Sequence, residues 1–561
     1  MISPWYVKGI HLPDHKVAEK VSNSFDQRLD HPVSPPYSAI APPSFPCRPG
    51  SSVLIDGHFG GPLIEKQAHH GTCKEFMKGC QSTFIFCMIP CTDCRPCDVL
   101  ARVTIDMLPD VALLEIFNVY IYEEADGYED EGIESWQALV HVCRKWRNVV
   151  FGSPRRLNLR LYCSAGTPVR QTLDVWPPLP IVIKVFSKET WDGGNIVAAL
   201  EHNDRICHLV IFDIPSSETG TALAALQRPF PALTYLQLAF RNEAAPVLPA
   251  SFLGGSAPAL QTLCLDRIPF LGLPKLLLSA THLVNLYILR IPDSGYISPE
   301  AMVAALSVLT RLESLQIGFE SPRSRPNWRT RRPPLRIPTL LPVLTRLMFK
   351  GVAEYLEDLV ARIDAPLLDD LRITFFHQLI FESPQLTRFI SRTPTFKAYN
   401  EARVEFSDLD VTVTFPQIFD RRLKLGISCE QSDWQLSSVA QVCSSSFPPA
   451  LIPTVEHLYI RSGFQRPDWQ DDIESSQWLE FFHPFTAMKD LYISSEFAPH
   501  IASSLEELVG DGVIEVLPAL QTLFLGEPLP SGPVQEAIVR FVVARELSGH
   551  PIAVSRWTQS R

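Results

Sequence analysis

Residues 73–97, CKEFMKGCQSTFIFCMIPCTDCRPC, carry the side chains of this sequence best suited to chemistry. Cys73, Cys80, Cys87, Cys91, Cys94 and Cys97 fall within them, with His69 and His70 just upstream. The last four follow C-x3-C-x2-C-x2-C, and thiolates spaced so closely can chelate one zinc ion or an iron–sulfur cluster. No second well-spaced pair completes a zinc module, so Cys87, Cys91, Cys94 and Cys97 stand only as metal candidates and no cofactor is assigned. The rest of the chain contains no Gly-rich phosphate loop, no G-x-S-x-G and no H-E-x-x-H. Histidines occur mostly singly, where a packed or surface ring is the usual role. The expectation is a non-catalytic protein that works by binding.

At 561 residues the chain exceeds what one compact core supports, so several domains or an elongated repeat array are required. Hydrophobic content of 46% with 20% charge is ordinary for a folded protein. A net charge of −11 argues against a nucleic-acid partner for the whole chain. The 49 prolines, against 27 glycines, call for short elements separated by turns. The opening MISPWYVKGIHLPDHK has no continuous apolar run, and FIFCMI at 84–89 is far too short for a bilayer. A cytoplasmic or nuclear location, without membrane insertion, is expected, and the 13 cysteines are then mostly free thiols.

Three regions separate along the chain. Residues 1–103 hold Pro/Ser-rich stretches such as HPVSPPYSAIAPPSFPCRPGSS with no helical or strand period, and are expected to be largely disordered. Residues 104–163 read as a small all-α domain. Residues 164–561 repeat L-x-x-L-x-[LIF], from ICHLVI (206–211), LTYLQL (233–238), LQTLCL (260–265), LVNLYI (283–288) and LESLQI (312–317) onward. The pattern continues with LTRLMF (344–349), LDDLRI (368–373), VEHLYI (455–460), MKDLYI (488–493) and LQTLFL (520–525). Successive starts lie 23 to 33 residues apart except for one gap of 87, which predicts two degenerate units near ARVEF (402–406) and LKLGI (423–427).

That period is the period of leucine-rich repeats. Alternating Leu points to one face of a short strand, and the intervening segments suit helices. SPEAMVAALSVL offers Ser298 as N-cap with Pro299 at the first helical position. SLEELVG places Ser504 and Glu507 in capping-box register, and PVQEAIVRFVVARELSG (533–549) closes the array on Gly549. One strand and one helix cannot bury their own apolar face, so the units must stack. The fold expected is an irregular α/β solenoid, a horseshoe without the asparagine ladder of regular repeats.

The small domain has its own logic. In LPDVALLEIF (108–117) Pro109 suits a helix start, and Leu113, Ile116, Phe117 and Tyr120 form one stripe. A second helix, opened by Ser135, carries Trp136, Leu139, Val140, Cys143 and Trp146 at matching intervals, with Val142 and Val149 outside that stripe. Two short helices display more apolar surface than they can hide from each other, at roughly 1.5–3 kcal/mol per large side chain. Something must cover them: a partner, or the first repeat with the helices acting as its cap. Burial of Leu113, Phe117 and Trp146 against the chain's own repeats would remove the surface a partner needs.

LPDVALLEIF followed by LVHVCRKWRNVVF resembles an F-box, whose hallmark is Leu-Pro opening one helix and Val-Cys-basic-x-Trp closing another. FGSPRRLNLRL (151–161), SFLGGSAPALQTLCLDRIPF (251–270), GYISPEAMV (295–303) and ARIDAPLL (361–368) are similar to recurring phrases of an F-box family from mushroom-forming fungi. The resemblance spans roughly 104–556. It implies that Leu108, Pro109, Leu113, Leu114, Ile116, Phe117, Leu139, Val142, Cys143 and Trp146 dock a Skp-type adaptor of a cullin–RING ubiquitin ligase. The repeats would then hold an unidentified protein substrate, and catalysis would belong to other subunits. The link YIYEEADGYEDEGIES (120–135), with seven acidic residues from Glu123 to Glu134, is longer than an ordinary F-box carries and reads as a solvated loop. RSRPNWRTRRPPLR (323–336) reads as a proline-broken surface loop, with attraction of an acidic substrate or a nuclear-import patch as the functional alternatives. The run Arg144, Lys145, Arg147, Arg155 and Arg156 reads mostly as the second helix's solvated face.

Overall fold

The computed structural model describes residues 108–558, except 126–134, 164–168, 186–192, 215, 241–245, 323–337, 379–380, 417–421, 430–433, most of 464–473, 510–514 and 528–529. The amino-terminal 103 residues with their cysteine cluster, most of the acidic link, and the arginine-rich 323–336 lie outside the described residues. Everything described belongs to one compact unit, Val99–Arg561.

Sixteen strands form one sheet among the described residues. The first seven are β1 (Leu161–Cys163), β2 (Ile181–Val185), β3 (Ile206–Phe212), β4 (Tyr235–Ala239), β5 (Thr262–Asp266), β6 (Asn285–Ile291) and β7 (Ser314–Phe319). Two-residue strands β8 (Thr339–Leu340) and β10 (Ile363–Asp364) pair separately. The main sheet resumes with β9 (Arg346–Gly351), β11 (Asp370–Phe376), β12 (Glu401–Phe406), β13 (Asp410–Pro416) and β14 (Arg422–Ser428). It ends with β15 (His457–Ser462), β16 (Asp490–Ile493), β17 (Thr522–Gly526) and β18 (Ala553–Trp557). The arrangement is a mixed α/β, leucine-rich-repeat-like solenoid with a long, almost wholly parallel sheet.

Strand alternation explains the layering. In β9, Leu347 and Phe349 are buried while Arg346 and Lys350 are exposed on the opposite face. The buried set joins one core running from Cys163 to Ile552 beneath the helices. Helix starts follow local sequence at some sites and not at others. Ser298 caps the helix Pro299–Leu306, its Oγ accepting from the Ala301 amide at 3.3 Å. The closing helix Pro533–Leu547 is followed by Gly549 at φ +76°, the left-handed conformation glycine supplies without strain. The capping box expected at Ser504 is absent. That helix begins earlier, at Ala498, and Ser504 sits buried inside it with Oγ donating to His500 O at 3.2 Å.

The 87-residue gap does hold two more parallel strands where expected, β12 and β14, but their order is inverted. The sheet runs β11-β14-β13-β12-β15, with β13 antiparallel to both neighbours. Ser407 makes the turn, its Oγ donating to an Asp410 carboxylate oxygen at 2.9 Å. β12, β13 and β14 are thus a meander, whose members stay consecutive in space whichever end meets β11. Here the β14 end does, which sets Asp370 beside Arg422. Chain order at the same register would have set it beside Glu401, two carboxylates directly opposed.

Candidate docking surface

Three helices make up the amino-terminal module: α1 (Asp110–Ala125), α2 (Ser135–Val142) and α3 (Arg144–Gly152). The single second helix expected from the sequence is broken at Cys143. Its backbone is extended (φ −156°, ψ 171°) and its Sγ accepts from the Trp146 amide at 3.5 Å, capping α3. Cys143 is therefore a capping residue that is only partly exposed. Pro109 lies one position outside α1, its carbonyl accepting from the Leu113 amide at 3.1 Å, which is the N-cap position rather than the first helical one.

Five of the ten expected anchors form the module's own core. Leu113 and Phe117 are fully buried, and Leu114, Leu139 and Trp146 are buried with them. The Phe117 and Trp146 rings meet at 4.8 Å. Cover comes from a source the stripe did not reveal: Leu157, Leu159 and Leu161 of the segment LNLRL, and Leu179 ahead of β2. Trp136 packs on Trp176 at 5.1 Å and donates its Nε1 to Arg160 O at 2.9 Å. The premise that the pair lacks cover is thus corrected, because the chain entering the first repeat closes the core. Leu113, Leu114, Phe117, Leu139 and Trp146 are removed as anchors, and with them goes the surface the sequence offered a partner; only the side of α1 away from this core is left for one. β1, placed by sequence in the small domain, is the first strand of the sheet, and it ties module to solenoid.

The basic run is also partly used internally. Lys145 Nζ donates to Leu108 O at 2.8 Å, Arg147 Nε donates to Val140 O at 3.0 Å, and Arg156 pairs with Glu115. The first contact pins the Leu-Pro turn against α3, the second ties α3 to α2, and the third ties the segment after α3 to α1.

What remains outward on α1 mixes apolar Val111, Ile116 and Val119 with polar Asp110, Glu115 and Asn118, and Glu115 is paired with Arg156. Val111 is 61% exposed, Ile116 47%, Val119 54% and Val142 58%, with Pro109 exposed at the start of α1. On α1 the first three lie within a sector of about 140°, opposite the buried Leu113 and Phe117. Among the described residues nothing buries the three large apolar side chains on this outer side, whereas the inner side is fully covered. Of the ten residues singled out by the F-box resemblance, Pro109, Ile116 and Val142 face solvent, while Leu108 and Cys143 are half-buried. Val111 and Val119 were missed, although their apolar character off the stripe was visible. Among the described residues no group of three or more His, Cys, Asp or Glu is placed to hold a metal ion, and no described helix is long and apolar enough to cross a membrane.

No family model matches the chain, and no curated protein matches it. Among solved structures the chain is similar to the leucine-rich repeat-containing protein LegL7 from Legionella pneumophila, at 13% identity, over 70% of this chain and 97% of that one, with a TM-score of 0.25. A likeness of that size adds nothing to what the sheet itself shows, so the repeat-like architecture rests on strand order and register.

Proposed function

We propose that this chain is a protein-interaction scaffold and, more specifically, the non-catalytic substrate-receptor subunit of a Skp–cullin–F-box ubiquitin ligase. The module would dock the Skp-type adaptor and the sheet would hold the protein to be ubiquitinated. The observation that carries the docking step is the uncovered outer side of α1. Val111, Ile116 and Val119 present apolar anchors along one side of α1, around the ion-paired Glu115, after the module's core is already filled; Pro109 and, on α2, Val142 add exposed apolar groups. The Leu108-Pro109 and Val142-Cys143-x-x-Trp146 spacings support the same reading. A second reading has its own observation. Leu157, Leu159, Leu161 and Leu179 seal the module onto the first strand, as an end cap of a non-ligase scaffold would be sealed. Co-purification with a Skp-type adaptor separates the two. Under the ligase reading the wild type captures the adaptor, and Pro109→Ala with Ile116→Asp and Val142→Asp abolishes capture while thermal unfolding is unchanged. Absence of capture by folded wild type leaves the cap reading.

A further inference from the structure

The face of the sheet away from the helices changes character along its length. Its early strands carry mainly uncharged polar groups such as Gln237, Thr262, Asn285 and Gln316, beside Lys184 and an Asp266 paired with Arg290. Three adjacent strands in the middle, β9, β11 and β14, differ. They carry Arg346, Lys350, Arg372, Arg422 and Lys424 against one carboxylate, Asp370. In a chain of net charge −11 this is a local excess of positive charge. We infer that β9, β11 and β14 form a binding face for a carboxylate-rich, extended segment of a protein partner. The inference rests on the scaffold reading and is independent of adaptor docking.

Three features support that occupant. The first is spacing. Strands lie about 4.8 Å apart and alternate residues about 6.6–6.8 Å apart, so the cations form a grid with the pitch of side chains on an extended peptide. The second is preorganisation. Asp370 is 4% exposed and receives Arg372 through Nε at 2.9 Å and Nη2 at 2.7 Å, with Arg346 Nε at 3.1 Å and Arg422 Nε at 3.8 Å. One carboxylate thus orients three guanidinium groups while neutralising a single charge, which lowers the ordering cost of binding. On β12 the carboxylates Glu401 and Glu405 are matched by Arg403 and Arg461, and on β13, beside β14, Asp410 opposite Ser428 offsets one charge of the excess.

The third feature separates a peptide from a nucleic acid. The aromatic groups further along, Tyr459, Tyr492 and Phe524, stack face to face at 4.1 and 4.2 Å, and Trp557 packs its edge on both tyrosines. Tyr492 thus has a ring on each face, and Tyr459 and Phe524 each have one face taken, so these rings offer bases less to stack on than isolated ones would. The acidic chain as a whole also repels a long polyanion, while a short acidic segment feels mainly the local excess.

The test is fluorescence anisotropy on the full-length chain without adaptor. The probe is a fluorescein-labelled peptide alternating Glu with Ser. The controls are the same peptide with Lys for Glu and an oligothymidylate of equal charge. The expected result is binding of the Glu peptide alone, weakening as salt rises, with at least about tenfold loss in Lys350→Glu with Lys424→Glu. Lys275→Glu, exposed on the helix Leu273–Leu277, should bind as wild type does. Equal thermal unfolding certifies the double variant; if it is destabilised, single Lys350→Ala and Lys424→Ala variants must each weaken binding. Failure of the Glu peptide to bind at low salt, unchanged binding by these variants, or equal or tighter binding of the oligothymidylate overturns the inference. None of these outcomes bears on adaptor capture.

Discussion

Ile116 and Phe117 are chain neighbours on α1, one exposed and the other buried, so paired substitutions test that assignment directly. Phe117 is fully buried against Trp146, and Phe117→Ala should cost about 3–5 kcal/mol, of which the ring pair accounts for ~0.5–1.5 kcal/mol. Ile116 is 47% exposed, and Ile116→Ala should cost less than about 1 kcal/mol. Native-state hydrogen exchange on peptides from α1 and α3 reads the local opening free energy. At 1.4 kcal/mol per factor of ten, Phe117→Ala should lower protection there roughly 100- to 3,000-fold where exchange follows opening of the module. Ile116→Ala should leave it within about fivefold of wild type. Adaptor capture should show the reverse bias, with folded Ile116→Ala weakened. Equal protection in the two variants would refute the inside and outside assignment, and with it the argument for an uncovered face.

Burial pushes the Cys264, Cys429 and Cys443 thiols up to about 12, from the ordinary 9.0. At pH 8 only roughly one in ten thousand of each is thiolate, so alkylation of the native protein by iodoacetamide should spare all three until it unfolds; labelling at the rate of a free thiol would contradict the burial. The same thiols, with Tyr296 raised to about 12 by desolvation and Tyr355 raised well above 10.0 by it, hold their protons more tightly folded than unfolded. Their contribution to stability is complete below the unfolded values near 9 and 10 and is lost as pH climbs toward 12. Tm should therefore fall steadily between pH 9 and 11; a flat profile there would show that these groups titrate alike in both states.

The fold was legible where local periodicity and burial coincide. Leu347 and Phe349, or Leu458 and Ile460, alternate because a strand with one buried face requires it, and the repeat spacing follows from stacking such units. The Ser298 cap and Gly549 were legible because each acts within one turn of its helix. Ser504 misled because a serine three residues before a glutamate also occurs inside helices; the helix had already begun at Ala498. The docking surface was half legible. The two stripes, with Leu113 and Phe117 on the first helix and Trp146 on the second, marked apolar residues correctly, but apolar character does not say which neighbour covers them. Leu157, Leu159 and Leu179 reach those stripes through a chain path that no helical period encodes.

By itself the sequence determined a repeated strand–helix unit, a small helical module ahead of it, and the absence of familiar catalytic motifs. Those properties depend on side chains a few residues apart. The tertiary structure alone decided which side of α1 faces solvent and that β14, not β12, lies against β11. Both are contacts between residues tens of positions apart, chosen by competition among surfaces of similar hydrophobicity. In the sheet, charge agrees with the outcome: Asp370 beside Arg422 is favourable where Asp370 beside Glu401 would not be. The cationic face exists because of that inversion, which is why a linear reading of Arg372 and Lys424, fifty-two residues apart, could not join them.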